Sequence, residues 1–170
     1  MLHCLFWVKF LAAFSRVEDV VEAYFMLRNY LVLRNIPFRK RKMWSDIDVL
    51  AFNDKELYIA ECKRGAVRDP NTVINHLIAA ENFLRSTSPY REIIEKLGLK
   101  IKKMYVAEYI RKERTEIEKA GIEVRNVKEV IKDVIDMVQT SLTKEKIEGM
   151  YPSPLIRYIV LLCKTKHIRT

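Results

Sequence analysis

The chain has 170 residues, is 49% hydrophobic, and carries 31 Lys and Arg against 22 Asp and Glu for a formal net charge of +9. That length suits one globular domain with its own core, and the basic balance suits a polyanionic partner, nucleic acid or an anionic membrane surface. Three scattered cysteines, Cys4, Cys62 and Cys163, exclude a disulfide framework and a Cys-rich zinc or iron–sulfur site.

The N-terminal MLHCLFWVKFLAAFS is apolar, but Lys9 interrupts it and no basic region precedes it, so secretion is not expected. Ser15 and Glu18 have capping-box spacing, and Val17, Val20, Val21, Tyr24, Leu27 and Leu31 recur at helical intervals, which predicts a helix over 16–33. Asn35, Pro37 and the basic FRKRK then break the chain. SDIDVLAF and ELYIAECK read as two strands of a hairpin turning at NDK. Asp69 and Pro70 look like an N-cap and first helical residue. Val73, Ile74, Leu77, Ile78 and Leu84 give the helix that follows an apolar face as far as about Arg85.

A polar stretch around REIIEKLGLK precedes a buried strand at Met104, Tyr105, Val106 and Ala107. A charged helix over 111–120, a short strand IEV after Gly121, and a helix started by Asn126 and Glu129 come next. Two short helices separated by YPSP complete the chain. This alternation predicts an α/β domain over 1–140, with a C-terminal helical extension over 141–170 packed on it. PLIRYIVLLC is too short to span a bilayer and carries Arg157, so a soluble, cytoplasmic protein with no membrane partner is expected. Four Gly, a single Gln and abundant Lys, Glu and Ile suit a thermophile.

The chemistry concentrates in the hairpin. Strand alternation puts Glu61 and Lys63 on the face of Ile59, and Tyr58, Ala60 and Cys62 on the other. Asp48 lies thirteen residues before Glu61 on the partner strand. Two neighbouring buried carboxylates repel unless a cation neutralises them, and hard Mg²⁺ or Mn²⁺ does so while keeping waters for chemistry. Lys63 would then hold or polarise a water aimed at a phosphate.

SDIDVLAFNDKELYIAECK resembles the core signature of the PD-(D/E)XK nuclease superfamily, in which an Asp on one strand is followed by Glu-x-Lys on the next. The resemblance runs over about residues 16–125 in element order, and its archaeal resolvase-like and Mrr-like branches are candidates. It implies a restriction-endonuclease-like core, a central mixed sheet flanked by helices in αβββαβ order, with extra C-terminal helices. It further implies a Mg²⁺- or Mn²⁺-dependent endonuclease acting on duplex or branched DNA in repair, recombination or restriction, with a homodimer as one assembly. Asp48, Glu61 and the backbone carbonyl of Cys62 would hold the metal, and Lys63 would act on the attacking water. Asp48 is the better match because the apolar VLA follows it; Asp46, on the same strand face, is the alternative.

The family's preceding helix commonly supplies a Glu. EAYFMLRNYL looks like that helix and points to Glu22, although helical spacing sets Glu22 opposite the apolar stripe and Glu18 nearer its margin. Where the family often has Gln in the helix after Glu-x-Lys, this chain has Asn75 and His76, with His76 read as a helix-edge residue. The basic run Arg39, Lys40, Arg41 and Lys42 is a candidate for phosphate contacts, with Trp44 beside it expected to pack on the sheet. Lys100, Lys102, Lys103, Arg111, Lys112 and Arg114 add positive charge for a groove. The alternative function is a catalytically inactive nucleic-acid-binding module on the same fold.

Overall fold

The computed structural model describes residues 16–40, 42–111, 113–143 and 153–165. Helix α1 spans Val17–Leu27 and strand β1 Leu31–Lys40, where the sequence predicts one helix to residue 33. Asn29 stops the helix: it takes the left-handed conformation (φ 64°), Asn29 N–H donates to the Met26 carbonyl, and Tyr30 N–H donates to the Phe25 carbonyl at 3.0 Å. The Tyr30 ring packs edge-on against Phe25 at 5.2 Å, which completes a Schellman ending. Leu27 and Leu31 keep helical spacing across this stop, so periodicity alone reads through it.

Strands β2 (Met43–Phe52) and β3 (Glu56–Lys63) follow, then helices α2 (Pro70–Ser86) and α3 (Tyr90–Leu97), and strand β4 (Lys100–Ala107). Helix α4 (Glu113–Lys119), strand β5 (Glu123–Asn126), helix α5 (Val127–Thr143) and helix α6 (Pro154–Lys164) complete the described chain. The strands form one mixed sheet in the order β1-β2-β3-β4-β5, antiparallel from β1 to β3 and parallel from β3 to β5. Pro37 is accommodated in β1 because that strand is an edge with a single neighbour.

Local chemistry sets the helix starts. Asp69 accepts from the Asn71 N–H and Pro70 opens α2, as the sequence predicts. Asn126 and Glu129 form a reciprocal cap on α5: the Asn126 side chain accepts from Lys128 N–H, and its own N–H donates to Glu129. In the stretch read as polar, Ile94 is buried and Gly98 (φ 62°) closes α3. Ser15 lies outside the described residues.

Helices cover both faces of the sheet. Val49, Ala51, Tyr58, Ala60, Cys62, Met104 and Val106 pack against α1, α5 and α6, whose Val20, Phe25, Ile131, Val134, Ile156 and Ile159 are fully buried. Leu50, Leu57, Ile59, Tyr105 and Ala107 pack on the opposite side against Val73, Leu77, Ala80 and Leu84 of α2. β3 therefore alternates as its sequence predicts, and it directs Glu61 and Lys63 toward α2. Among the described residues, no helix is long and apolar enough to cross a membrane.

Candidate active site

The site arises where two strand ladders fail together. β2 and β3 pair from Phe52 opposite Leu57 to Val49 opposite Ala60, and no further. Asp48 and Glu61 would form the next pair, but the strands part there while β3 stays paired with β4 as far as Lys63 opposite Ala107. On its other side, the β1–β2 ladder skips the Asn35–Asp48 position, with Asn35 at φ 51°. Beyond this kink Ile36, Phe38 and Ile47 turn onto the α2 side, although Val49 packs on the α1 side.

Asp48 occupies the fork. Its Oδ2 accepts the Cys62 N–H at 2.7 Å, in place of a ladder carbonyl. Because N–H and C=O of one strand residue point to the same edge, the Cys62 carbonyl also faces the fork, while the Lys63 carbonyl accepts from Glu108 N–H. Lys63 Nζ lies 2.6 Å from Glu61 Oε1 and 3.9 Å from Asp48 Oδ2. His76 Nδ1, on α2, lies 2.6 Å from Glu61 Oε2, and its Nε2 is 2.9 Å from Ser45 Oγ. The Asp48 and Glu61 side chains are only 13% and 6% exposed.

This environment separates the two carboxylates. Burial and the Glu61 charge push the Asp48 pKa up to about 6, against the Cys62 N–H and Lys63. Burial also disfavours ionised Glu61, but His76 and Lys63 outweigh it and hold Glu61 below the ordinary value. Lys63 is raised: burial opposes its charge, and the Glu61 contact prevails. Burial, Asp48, Glu18 and Glu61 push the Cys62 thiol well up, so it contributes backbone rather than nucleophile. Burial, Glu113 and Glu61 raise the Tyr105 phenol to about 12.

The residues at the fork fit a hard divalent cation. Burial and the Glu61 charge raise Asp48, an ion between the carboxylates would offset both, and two carboxylates with a carbonyl suit Mg²⁺, which retains waters. Among the described residues no group of three or more His, Cys, Asp or Glu side chains lies close enough to hold a metal. A cation here would thus rely on Asp48, Glu61, the main chain and water.

Not every expected residue joins the cluster. Glu22 is engaged 3.2 Å from Arg34, which also holds Asp19 at 2.6 Å. The helical carboxylate whose field reaches Cys62 is Glu18. Asp46 is exposed and acts on Asp48 only through its charge. His76, read from the sequence as a helix-edge residue, instead contacts Glu61. Its spacing of three and four residues from buried Val73 and Ala80 carried that signal.

Arg39, Lys40 and Lys42 lie at the tip of the β1–β2 hairpin and line a groove of about 1500 Å³ against α2; Arg41 and Lys112 lie outside the described residues. Trp44 does not pack on the sheet as expected: it is 76% exposed, and Met43 is 73% exposed. Both residues lie on the part of β2 that runs past its pairing with β3, and none of the described helices covers it. The β4 lysines do not enter the groove. Lys102 pairs with Glu56, Lys103 lies 2.6 Å from Glu81, and Arg114 pairs with Glu118 at 2.9 Å.

No family model matches the chain, and no curated protein matches it. Among solved structures it is similar to a crystal structure described as a protein of unknown function, AF1548, at 14% identity and a TM-score of 0.43, covering 89% of this chain and 97% of that one.

Proposed function

We propose that this protein is a metal-dependent nuclease of the PD-(D/E)XK type, with a restriction-endonuclease-like core, that hydrolyses phosphodiester bonds in DNA. The observation that carries this reading is the fork at which Asp48, Glu61 and Lys63 converge, with Asp48 Oδ2 pinned by the Cys62 N–H. Mg²⁺ or Mn²⁺ bound there would polarise the phosphate and lower the pKa of a bound water. Asp48 and Glu61 supply the negative charge that retains the cation. Lys63, tethered to Glu61, presents an ammonium that orients the attacking water and offsets charge developing on the phosphate. His76 holds Glu61 from the far side and fixes its rotamer, with Ser45 fixing the ring in turn.

One observation favours the non-catalytic DNA-binding module instead: Glu61 already has Lys63 and His76 as close partners, each at 2.6 Å. A cleavage assay separates the readings. With Mg²⁺ or Mn²⁺, wild type should cut duplex, single-stranded or branched DNA, and Glu61→Gln or Lys63→Ala should each slow cutting by at least about 100-fold. Uncut DNA of all three forms, or full cutting by both variants, would sink the proposal.

A further inference from the structure

The groove beside the fork has a composition that phosphate binding alone does not explain. Its hairpin wall ends in Met43 and Trp44, which follow one another on a strand and so point to opposite faces, yet both are largely exposed. Neither serves a core. Arg39, Lys40 and Lys42 surround them, and none of the three has a carboxylate partner among the described residues. The opposite wall is one stripe of α2, in which Asn75, Ile78, Asn82 and Ser86 recur every three or four residues. Amide and hydroxyl groups therefore alternate with apolar surface along the groove.

Both walls of the groove also lie next to the fork in sequence. His76 adjoins Asn75, and Ser45 adjoins Trp44, and these two neighbours are the pair joined at 2.9 Å beside Glu61. A strand whose phosphate reached Lys63 would continue past this pair onto Trp44.

Resting on the nuclease reading, we propose that this groove takes the unpaired bases of a single-stranded DNA segment flanking the scissile phosphate. Trp44 is the stacking platform, and Arg39, Lys40 and Lys42 follow the backbone. A duplex would offer the cations its phosphates but keep its base faces stacked inside. Unpaired bases present the π-face that an open indole accepts. The α2 wall carries Asn75, Asn82 and Ser86 among Ile78, Ala79 and Phe83, hydrogen-bonding groups for which a lipid surface has no use.

The test is fluorescence anisotropy of wild type in EDTA, where nothing is cut, with a labelled blunt duplex and the same duplex carrying a single-stranded tail of about ten nucleotides. The tail should tighten binding about tenfold or more; Trp44→Ala should abolish that gain, Trp44→Phe should keep most of it, and blunt-duplex affinity should change less than about twofold. Trp44 is exposed, so neither substitution threatens the core. Equal affinity for the two DNAs, or a tail gain that survives Trp44→Ala, overturns this proposal and leaves the nuclease reading standing. Failure to bind any DNA overturns both. Capture by phosphatidylserine vesicles, lost in Trp44→Ala and without any tail preference on DNA, would assign the groove to a membrane surface and overturn it as well.

Discussion

Asp48 carries an energetic burden that a purely structural residue would not. Its folded-state pKa of about 6 stands above the ordinary 3.8, so between those pH values the native chain binds a proton more tightly than the unfolded chain. The favourable contribution from Asp48 is thus fully present below pH 3.8 and is lost as pH rises through about 6. Asp48→Asn removes the buried charge and keeps an oxygen to accept from Cys62 N–H. In metal-free buffer the variant should exceed wild type by on the order of 1–3 kcal/mol at pH 7.5, a gain that disappears near pH 4. Denaturant melts at the two pH values check this, and a gain independent of pH would contradict it. His76→Ala should act in the other direction. It leaves Glu61 buried with one neighbour fewer and should cost about 1–3 kcal/mol. Saturating Mg²⁺ should shrink that loss in thermal melts, because the cation neutralises the same carboxylate.

The β2 strand shows how an element shapes a site. Val49 and Leu50 keep strand alternation, but the skipped Asn35–Asp48 pair bends the hairpin and frees the Asp48 side chain for the fork. Asn35 is the hinge of that bend, at φ 51°. Asn35→Gly should therefore be nearly neutral, whereas Asn35→Val should destabilise by about 1–2 kcal/mol and lower metal affinity with it; equal melting temperatures for both would remove the bend's role. Much of this element was legible in the sequence. The apolar alternation of ELYIAECK located Glu61 and Lys63, and Asp69-Pro70 located the start of α2. The edge strand β1 was not legible, because Leu27 and Leu31 continue a helical period across Asn29, and because Pro37 reads as a breaker where only one neighbouring strand exists. The His76 contact was only half legible: its spacing from buried Val73 and Ala80 turns it toward the core side of α2, but meeting Glu61 depends on how α2 lies across β3. Trp44 is exposed for a related reason: burial of an aromatic depends on a covering helix, and none of the described helices covers the hairpin tip.

Across the whole molecule, the mixed sheet sorts charge by location. β3 and β4 run parallel, so Glu61 and Lys63 lie at one end of the sheet and Lys100 and Lys102 at the other, where Glu56 takes up Lys102. The net charge of +9 is consequently less informative than Arg39, Lys40 and Lys42 at the hairpin tip, which have no carboxylate partner among the described residues. If Arg39, Lys40 and Lys42 meet phosphates, replacing all three with Ala should flatten the slope of log K against log salt by up to about 3, near 0.9 per lost contact. An unchanged slope would place the DNA elsewhere. The two apolar layers, with α2 on one side and α1, α5 and α6 on the other, hold β3 rigid while β2 diverges from it. That divergence opens the fork in which the proposed divalent cation would lie between Asp48 and Glu61. Calorimetric titration of Mn²⁺ into the wild-type protein and into Asp48→Asn tests this most directly. Wild type should show one site that Asp48→Asn loses; equal binding by the two proteins, or no binding by wild type, would contradict a cation shared by Asp48 and Glu61.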